Sequence, residues 1–154
     1  MKCAVQVELA VMGPGDFDEV EFLWRASPGV GLYPGDDRES IARFLERNPG
    51  LSFVARDGDR TVGAVLCGHD GRRGYITHLA VAPSHRREGI GERLVERCLA
   101  ALRREGIEKA HLFVFEHNMG ARAFWRRLGW HERGDLVTMS RYLTAEQSGK
   151  RDKP

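Results

Sequence analysis

The chain has 154 residues, a length that suits one globular domain of ordinary size. Apolar residues make up 42% and charged residues 30% of it, a balance typical of a folded protein rather than a disordered one. The formal net charge of +2 is too small to indicate nucleic-acid binding, and no apolar run approaches the roughly 20 residues that span a bilayer.

The first third of the sequence predicts one strand followed by two helices. An apolar segment without a signal-peptide core predicts a strand over about residues 5–11. Asp16 is placed to cap a helix that runs to about Ala26. A loop rich in glycine and proline covers residues 27–37, and a second helix follows over about residues 38–47.

The middle of the sequence predicts three strands and a long helix. The strands cover about residues 51–56, 61–68 and 75–81, and short turns between them indicate an antiparallel meander. The helix covers about residues 91–105, and a glycine follows it, as is typical of a helix end.

The last third predicts a strand, a short helix and a final strand. The strand over about residues 109–115 follows a strand–helix connection, so we expect it to run parallel to the strand before that helix. The short helix covers about residues 119–128 and the final strand about residues 137–143. Residues 144–154 are polar and charged, which predicts a tail beyond a single domain of residues 1–143.

A basic turn with two glycines joins the third strand of the meander to the long helix. Arg86 and Arg87 precede Gly89 and Gly91 in this turn. At a helix start the backbone N–H groups have no partners within the helix, and they lie at the positive end of its dipole. Glycine lets a phosphate approach the backbone, and arginine adds charge and paired donors. The turn therefore predicts a pyrophosphate site.

Apolar residues line one face of the helix at Ile90, Leu94, Cys98, Ala101 and Leu102.

Two segments of the chain resemble motifs of the GNAT superfamily of N-acetyltransferases. The first reads Leu79-Ala80-Val81-x-Pro83 followed by Arg86-x-x-Gly89-x-Gly91, and the second reads Asn118-x-x-Ala121-x-x-Phe124-Trp125-x-x-Leu128-Gly129-Trp130. The resemblance covers about residues 5–143 and is greatest to small single-domain bacterial members. It implies an α/β fold with a mixed sheet of six to seven strands and about four flanking helices.

The resemblance also implies acetyl-CoA as co-substrate, bound between two splayed strands. The pantetheine arm would pair with the free edge of the strand that ends at Val81, and the pyrophosphate would lie on the basic turn. Asn118 would form a hydrogen bond to the cofactor. Asparagine is also a preferred helix cap, and one residue can fill both roles. The implied cofactor-binding positions are Leu79, Ala80, Val81, Arg86, Arg87, Glu88, Gly89, Ile90, Gly91, Glu92, Asn118, Ala121, Phe124 and Trp125.

The catalytic groups are harder to assign, because Trp125 stands where many GNAT enzymes have a tyrosine that protonates the departing thiolate. An indole N–H donates a hydrogen bond but is not a usable acid. Candidates for the general base are His78, Glu116 and His117, with His78 and Glu116 the two assigned to the catalytic site. A period of two places Ile76, His78 and Ala80 on one face of their strand.

The sequence leaves the acceptor open, between a small-molecule amine and an amine of a protein or peptide. Some members that acetylate protein N-termini carry a glutamate where this chain has Phe113, which weakens that option. We expect no metal, nucleic-acid or membrane partner, and either a monomer or a homodimer. Three widely spaced cysteines fit no disulfide framework and favour a reducing, cytoplasmic setting.

Two alternatives come from other classes of protein. A non-catalytic acyl-CoA sensor is compatible with Trp125, since it needs no acid for the leaving thiolate. A dinucleotide-binding domain would use Gly89 and Gly91 as two glycines of its fingerprint. The third glycine position of that fingerprint is occupied by Leu94, and several residues separate Val81 from Gly89, so this alternative is disfavoured.

Overall fold

The structure of the protein is a computed structural model that describes residues 6–146. The chain divides into two compact units, one up to Phe113 and one from Val114 onward. Val5, at the start of the first predicted strand, and most of the predicted tail lie outside the described residues.

Unit 1, the part up to Phe113, contains a five-stranded sheet and three α-helices. The strands are β1 (Glu8–Val11), β2 (Phe53–Asp57), β3 (Arg60–His69), β4 (Gly74–Val81) and β5 (Ala110–His111). The helices are α1 (Phe17–Arg25), α2 (Arg38–Arg47) and α3 (Ile90–Arg104), with short 3₁₀ turns at Pro14–Asp16 and Pro83–His85. Strands β1 to β4 pair antiparallel in chain order, and β5 pairs parallel with β4, as the sequence predicts.

The predicted number of strands is wrong, because the sheet has five strands rather than six or seven. Residues 137–143 form no strand, and the side chains of Val137, Met139 and Leu143 are 87%, 91% and 94% exposed. Apolar alternation indicates a strand only where a neighbouring strand supplies hydrogen bonds, and this segment has no ladder partner. β5 is likewise shorter than predicted.

Helices cover both faces of the sheet in unit 1. A Cβ at Gly63 would lie 3.1 Å from the side chain of Leu94 in α3, whereas a Cβ at Gly68 would lie 2.9 Å from that of Phe44 in α2. Because Gly63 and Gly68 are on opposite faces of β3, α3 and α2 pack on opposite sides. All five predicted apolar positions of α3 are buried.

Helix ends follow the predicted chemistry, with one difference. The Asp37 carboxylate caps α2 by accepting from Ser40 N–H at 2.9 Å. Gly106 follows α3 with a φ of 78°. Asp16 occupies the cap position of α1, but its carboxylate accepts from Gly13 N–H at 2.8 Å and pairs with Arg56 instead.

Among the described residues of unit 2, the part from Val114 onward, there is one helix, α4 (Met119–Arg127). Asn118 caps it, accepting from Ala121 N–H at 3.0 Å. Within residues 6–146, no helix has both the length and the apolar character needed to cross a membrane.

Candidate active site

The turn between β4 and α3 presents main-chain amides at a helix start. The first hydrogen bond of α3 runs from Arg93 N–H to Gly89 C=O at 3.1 Å, so the N–H groups of residues 90–92 precede the helical ladder. Arg87 and Gly89 have φ values of 63° and 78°, in the left-handed region. The side chains from Arg86 to Glu88 are exposed.

Gly89, at the start of α3, is not crowded by other residues. A Cβ placed on Gly89 would have no atom within 4 Å. Glycine is therefore favoured here by the left-handed backbone conformation and not by a lack of space for a side chain. α3 has 15 residues, and its aligned peptide dipoles put partial positive charge at this end. The turn is therefore open at Gly89 and lies at the positive end of the α3 dipole.

Three contacts that the sequence does not reveal anchor the turn. His85 Nε2–H donates to Asp57 Oδ2 at 2.7 Å, which fixes the turn to the β2–β3 hairpin, and Ser84 Oγ lies 2.7 Å from His85 Nδ1. Arg86 Nε–H donates to the Val81 carbonyl at 3.2 Å. Arg86 thus lies along β4 in this structure.

The outer edge of β4 is paired with β5 over two positions only, Gly74 with Ala110 and Tyr75 with His111. From residue 76 to Val81 that edge carries no strand. Ala82 N–H bonds to Val62 C=O at 2.8 Å, so the alternation of the backbone turns the N–H and C=O of Val81 toward this outer edge, where the C=O accepts from Arg86.

A β-bulge interrupts the register of β4 beside this free edge. Ala80 pairs with Ala64 and Thr77 pairs with Leu66, so His78 and Leu79 together oppose the single residue between Ala64 and Leu66. His78 has a φ of 54°, which is uncommon for a non-glycine residue. The prediction that Ile76 and Ala80 share a face is wrong, because the extra residue reverses the alternation between them.

His78 is held by side chains from two other segments. Trp24 of α1 is fully buried, and its Nε1–H donates to the His78 carbonyl at 2.9 Å, with the two rings edge-to-face at 4.9 Å. Asp36, in the loop between α1 and α2, places Oδ1 3.1 Å from His78 Nε2. The ring nitrogen is enclosed, yet it has no aligned hydrogen bond among the described residues.

In unit 2, the second motif forms a capped helix with an aromatic cluster. Trp125 packs edge-to-face against Phe124 and Trp130, with ring centroids 5.1 and 5.3 Å away. Ala121, Phe124 and Trp125 are half-buried. The indole therefore has a packing role within this unit.

Glu116 is exposed in unit 2, just before the cap of α4. Arg122 donates to its main-chain carbonyl at 2.9 Å and to Glu132 at 2.7 Å. Hydrogen bonds from Arg122 and then Arg126 lower the pKa of Glu132 to about 2. This network orders the segment around Glu116.

The structure brings the first motif together in unit 1 and the second motif together in unit 2. His78 lies at the bulge of unit 1 and Glu116 in unit 2. Sequence reasoning missed Trp24 and His85, whose contacts arise only on folding. Among residues 6–146 there is no cluster of three or more His, Cys, Asp or Glu side chains that could hold a metal.

Comparisons with known proteins agree with this fold. The model of the acetyltransferase (GNAT) family matches residues 17–130. An acetyltransferase of Pectobacterium atrosepticum is 32% identical over 142 residues, which cover 92% of this chain and 99% of the relative. Ard1 from Thermoplasma volcanium has a TM-score of 0.74 at 20% identity, covering 92% of this chain and 91% of its own. AAC(6')-Iy in complex with the bisubstrate analog CoA-S-monomethyl-acetylneamine has a TM-score of 0.72 at 16% identity, covering 89% of this chain and 99% of its own.

A mixed five-stranded sheet with four helices is thus the GNAT-like α/β fold. The family model spans more than half of the chain, and curated relatives that cover nearly all of it carry the name acetyltransferase. The chain belongs to the acetyltransferase (GNAT) family. Neither the sensor nor the dinucleotide-binding alternative is favoured by these matches.

Proposed function

We propose that the protein is an N-acetyltransferase that transfers the acetyl group of acetyl-CoA to a primary amine by direct attack in a ternary complex. The observation that carries this proposal is the sequence of features in unit 1. The outer edge of β4 carries no strand from residue 76 to Val81, and a 3₁₀ turn and a left-handed glycine follow it before the start of α3.

The residues of the turn fit the pyrophosphate of the co-substrate. Backbone N–H groups of residues 87–92 would hold the phosphates, with Arg86 and Arg87 supplying positive charge. Leu79, Ala80 and Val81 would hold the pantetheine arm through their main chain. In unit 2, Asn118, Ala121, Phe124 and Trp125 match the family motif, and the resemblance implies that they bind the cofactor.

Acetyl-CoA, when bound, supplies an activated thioester carbonyl. The amine nitrogen bonds to the acetyl carbon while the carbon–sulfur bond breaks, and the sulfur leaves with its electron pair. Backbone N–H groups near the bulge, from Leu79 to Val81, would stabilise the negative charge on the carbonyl oxygen. His78 takes the proton of the amine, and Glu116 is the other candidate for this base.

The leaving thiolate needs little help from an acid. Thiol pKa values lie near 8.5, so a thiolate is a fair leaving group. Trp125 therefore lowers the rate relative to a tyrosine at that position without preventing the reaction.

The acceptor is a small-molecule amine or an amine of a peptide or protein, and we assign the reaction to the cytoplasm. Neither nucleic acid nor membrane is expected as a partner, and the protein would act as a monomer or a homodimer. The bisubstrate analog bound to AAC(6')-Iy is consistent with an amine acceptor in this fold.

Calorimetric titration with acetyl-CoA, followed by free-thiol release against a panel of amines and peptides, tests the proposal. Binding with turnover on one class of amine is the expected result. Binding without turnover on any member of a broad panel would instead support the sensor. Absence of binding would contradict the assignment of the turn.

A further inference from the structure

The structure assigns Asp36 as the residue that positions the imidazole of His78, so that the two form a functional pair at the bulge of β4. This inference rests on the proposed function and deepens it, since it names the group that sets the tautomer of the proposed base. It concerns unit 1 alone.

Asp36 is held in place by its own loop. Its Oδ2 accepts from Tyr33 N–H at 2.8 Å, and its main-chain N–H donates to the Tyr33 carbonyl at 3.1 Å. These two bonds close a tight turn and leave the other carboxylate oxygen, Oδ1, directed at His78 Nε2. Both side chains of the pair are only 18% exposed. Its neighbour Asp37 caps α2 and makes no contact with the histidine.

The bulge and Trp24 also hold His78. The bulge places it in the left-handed region, Trp24 binds its carbonyl, and the ring of Trp24 lies edge-to-face against the imidazole. An enclosed ring nitrogen without an aligned hydrogen bond costs free energy. Asp36 Oδ1 lies 3.1 Å from this nitrogen, within hydrogen-bonding distance.

The consequence is a fixed tautomer. With Nε2 carrying the hydrogen toward Asp36, Nδ1 is the unprotonated nitrogen that can accept a proton from the amine. A carboxylate opposite Nε2 also stabilises the imidazolium that forms when the proton arrives, as a buried aspartate does for the histidine of a catalytic triad. Asp36 is thus a positioning residue and His78 the group that meets the substrate.

The test compares Asp36→Asn with Asp37→Asn, a matched variant that removes the same charge one residue away and keeps a good helix cap. We expect Asp36→Asn to lower kcat about tenfold or more while the KM for acetyl-CoA stays within twofold. Asp37→Asn should leave both values within twofold. An unchanged kcat in Asp36→Asn would overturn the pairing.

A second measurement does not depend on activity, so it separates this inference from the proposed function. Nitrogen-15 NMR of the His78 ring should show the Nε2–H tautomer in the wild-type protein and in Asp37→Asn, and its loss in Asp36→Asn. If the ring carries its hydrogen on Nδ1, or is indifferent to Asp36→Asn, the pairing is wrong. If the NMR result holds but no amine is acetylated, the proposed function fails and the pairing stands.

Discussion

The turn before α3 and the bulge of β4 are close in sequence but are built from different kinds of groups. The turn offers main-chain N–H groups, while its residues from Arg86 to Glu88 are exposed and Arg86 donates to the Val81 carbonyl. The bulge depends on the side chains of Trp24 and Asp36, which lie far from His78 in the chain. Ligand binding at the turn should therefore tolerate most side-chain changes, whereas proton transfer at the bulge should depend on a few particular ones.

Replacing His78 should have the largest effect on turnover. We expect His78→Asn to lower kcat about 100-fold, because positioned bases contribute factors of this size, while acetyl-CoA affinity stays unchanged. Asparagine tolerates the left-handed backbone of this position, so the fold should survive. Steady-state thiol release and calorimetry measure the two quantities.

Glu116→Gln is the matched comparison, because it alters the other candidate for the base. A large loss of kcat in Glu116→Gln with little loss in His78→Asn would transfer the role to Glu116. The bulge would then have no part in proton transfer, and the difference proposed here between the turn, which binds the ligand, and the bulge, which transfers the proton, would be wrong.

Gly91→Asp should produce the opposite pattern at the turn. A carboxylate beside a pyrophosphate should weaken acetyl-CoA binding about 30-fold, or about 2 kcal/mol, through like-charge repulsion. Calorimetric titration gives the dissociation constant directly. Gly91→Ala is the control, since it adds a methyl group without charge and should cost far less. Equal affinity in the wild type and Gly91→Asp would exclude the turn as the phosphate site.

Trp125→Tyr should change turnover by a smaller factor. If the thiolate lacks an acid, the new hydroxyl should raise kcat about two- to fivefold, and Trp125→Phe should not. Comparing the two variants separates the hydroxyl from the loss of indole packing against Phe124 and Trp130. Equal losses in both would mean that the indole acts by packing or by contact with a substrate.

The smallest effect concerns Glu132 in unit 2. Its pKa of about 2 lies below its ordinary value of 4.5, so its stabilising contribution is present above about pH 4.5 and is lost as pH falls through about 2. We expect Glu132→Gln to lower the melting temperature slightly at neutral pH, with the difference shrinking on acidification. Glu108→Gln, an exposed change in unit 1, should show no such trend.

The sequence predicts the turn before α3 better than it predicts the bulge of β4. Glycines and helix-capping residues act on the backbone within a few positions of themselves. The glycine turn, α3 and the cap at Asn118 are therefore predicted from short segments, and the structure confirms them. The bulge at His78 carries no glycine, and period two therefore assigns Ile76 and Ala80 to one face wrongly. The contact of His78 with Asp36 depends on tertiary packing. Alternation at residues 137–143 predicts a strand, but pairing needs a partner that alternation does not specify.

Direct transfer in a ternary complex is tested most directly by initial rates of thiol release with acetyl-CoA and the acceptor amine both varied. Our account predicts intersecting double-reciprocal lines, because both substrates must be bound before the carbon–sulfur bond breaks. Parallel lines, the signature of a covalent acyl-enzyme, would contradict it.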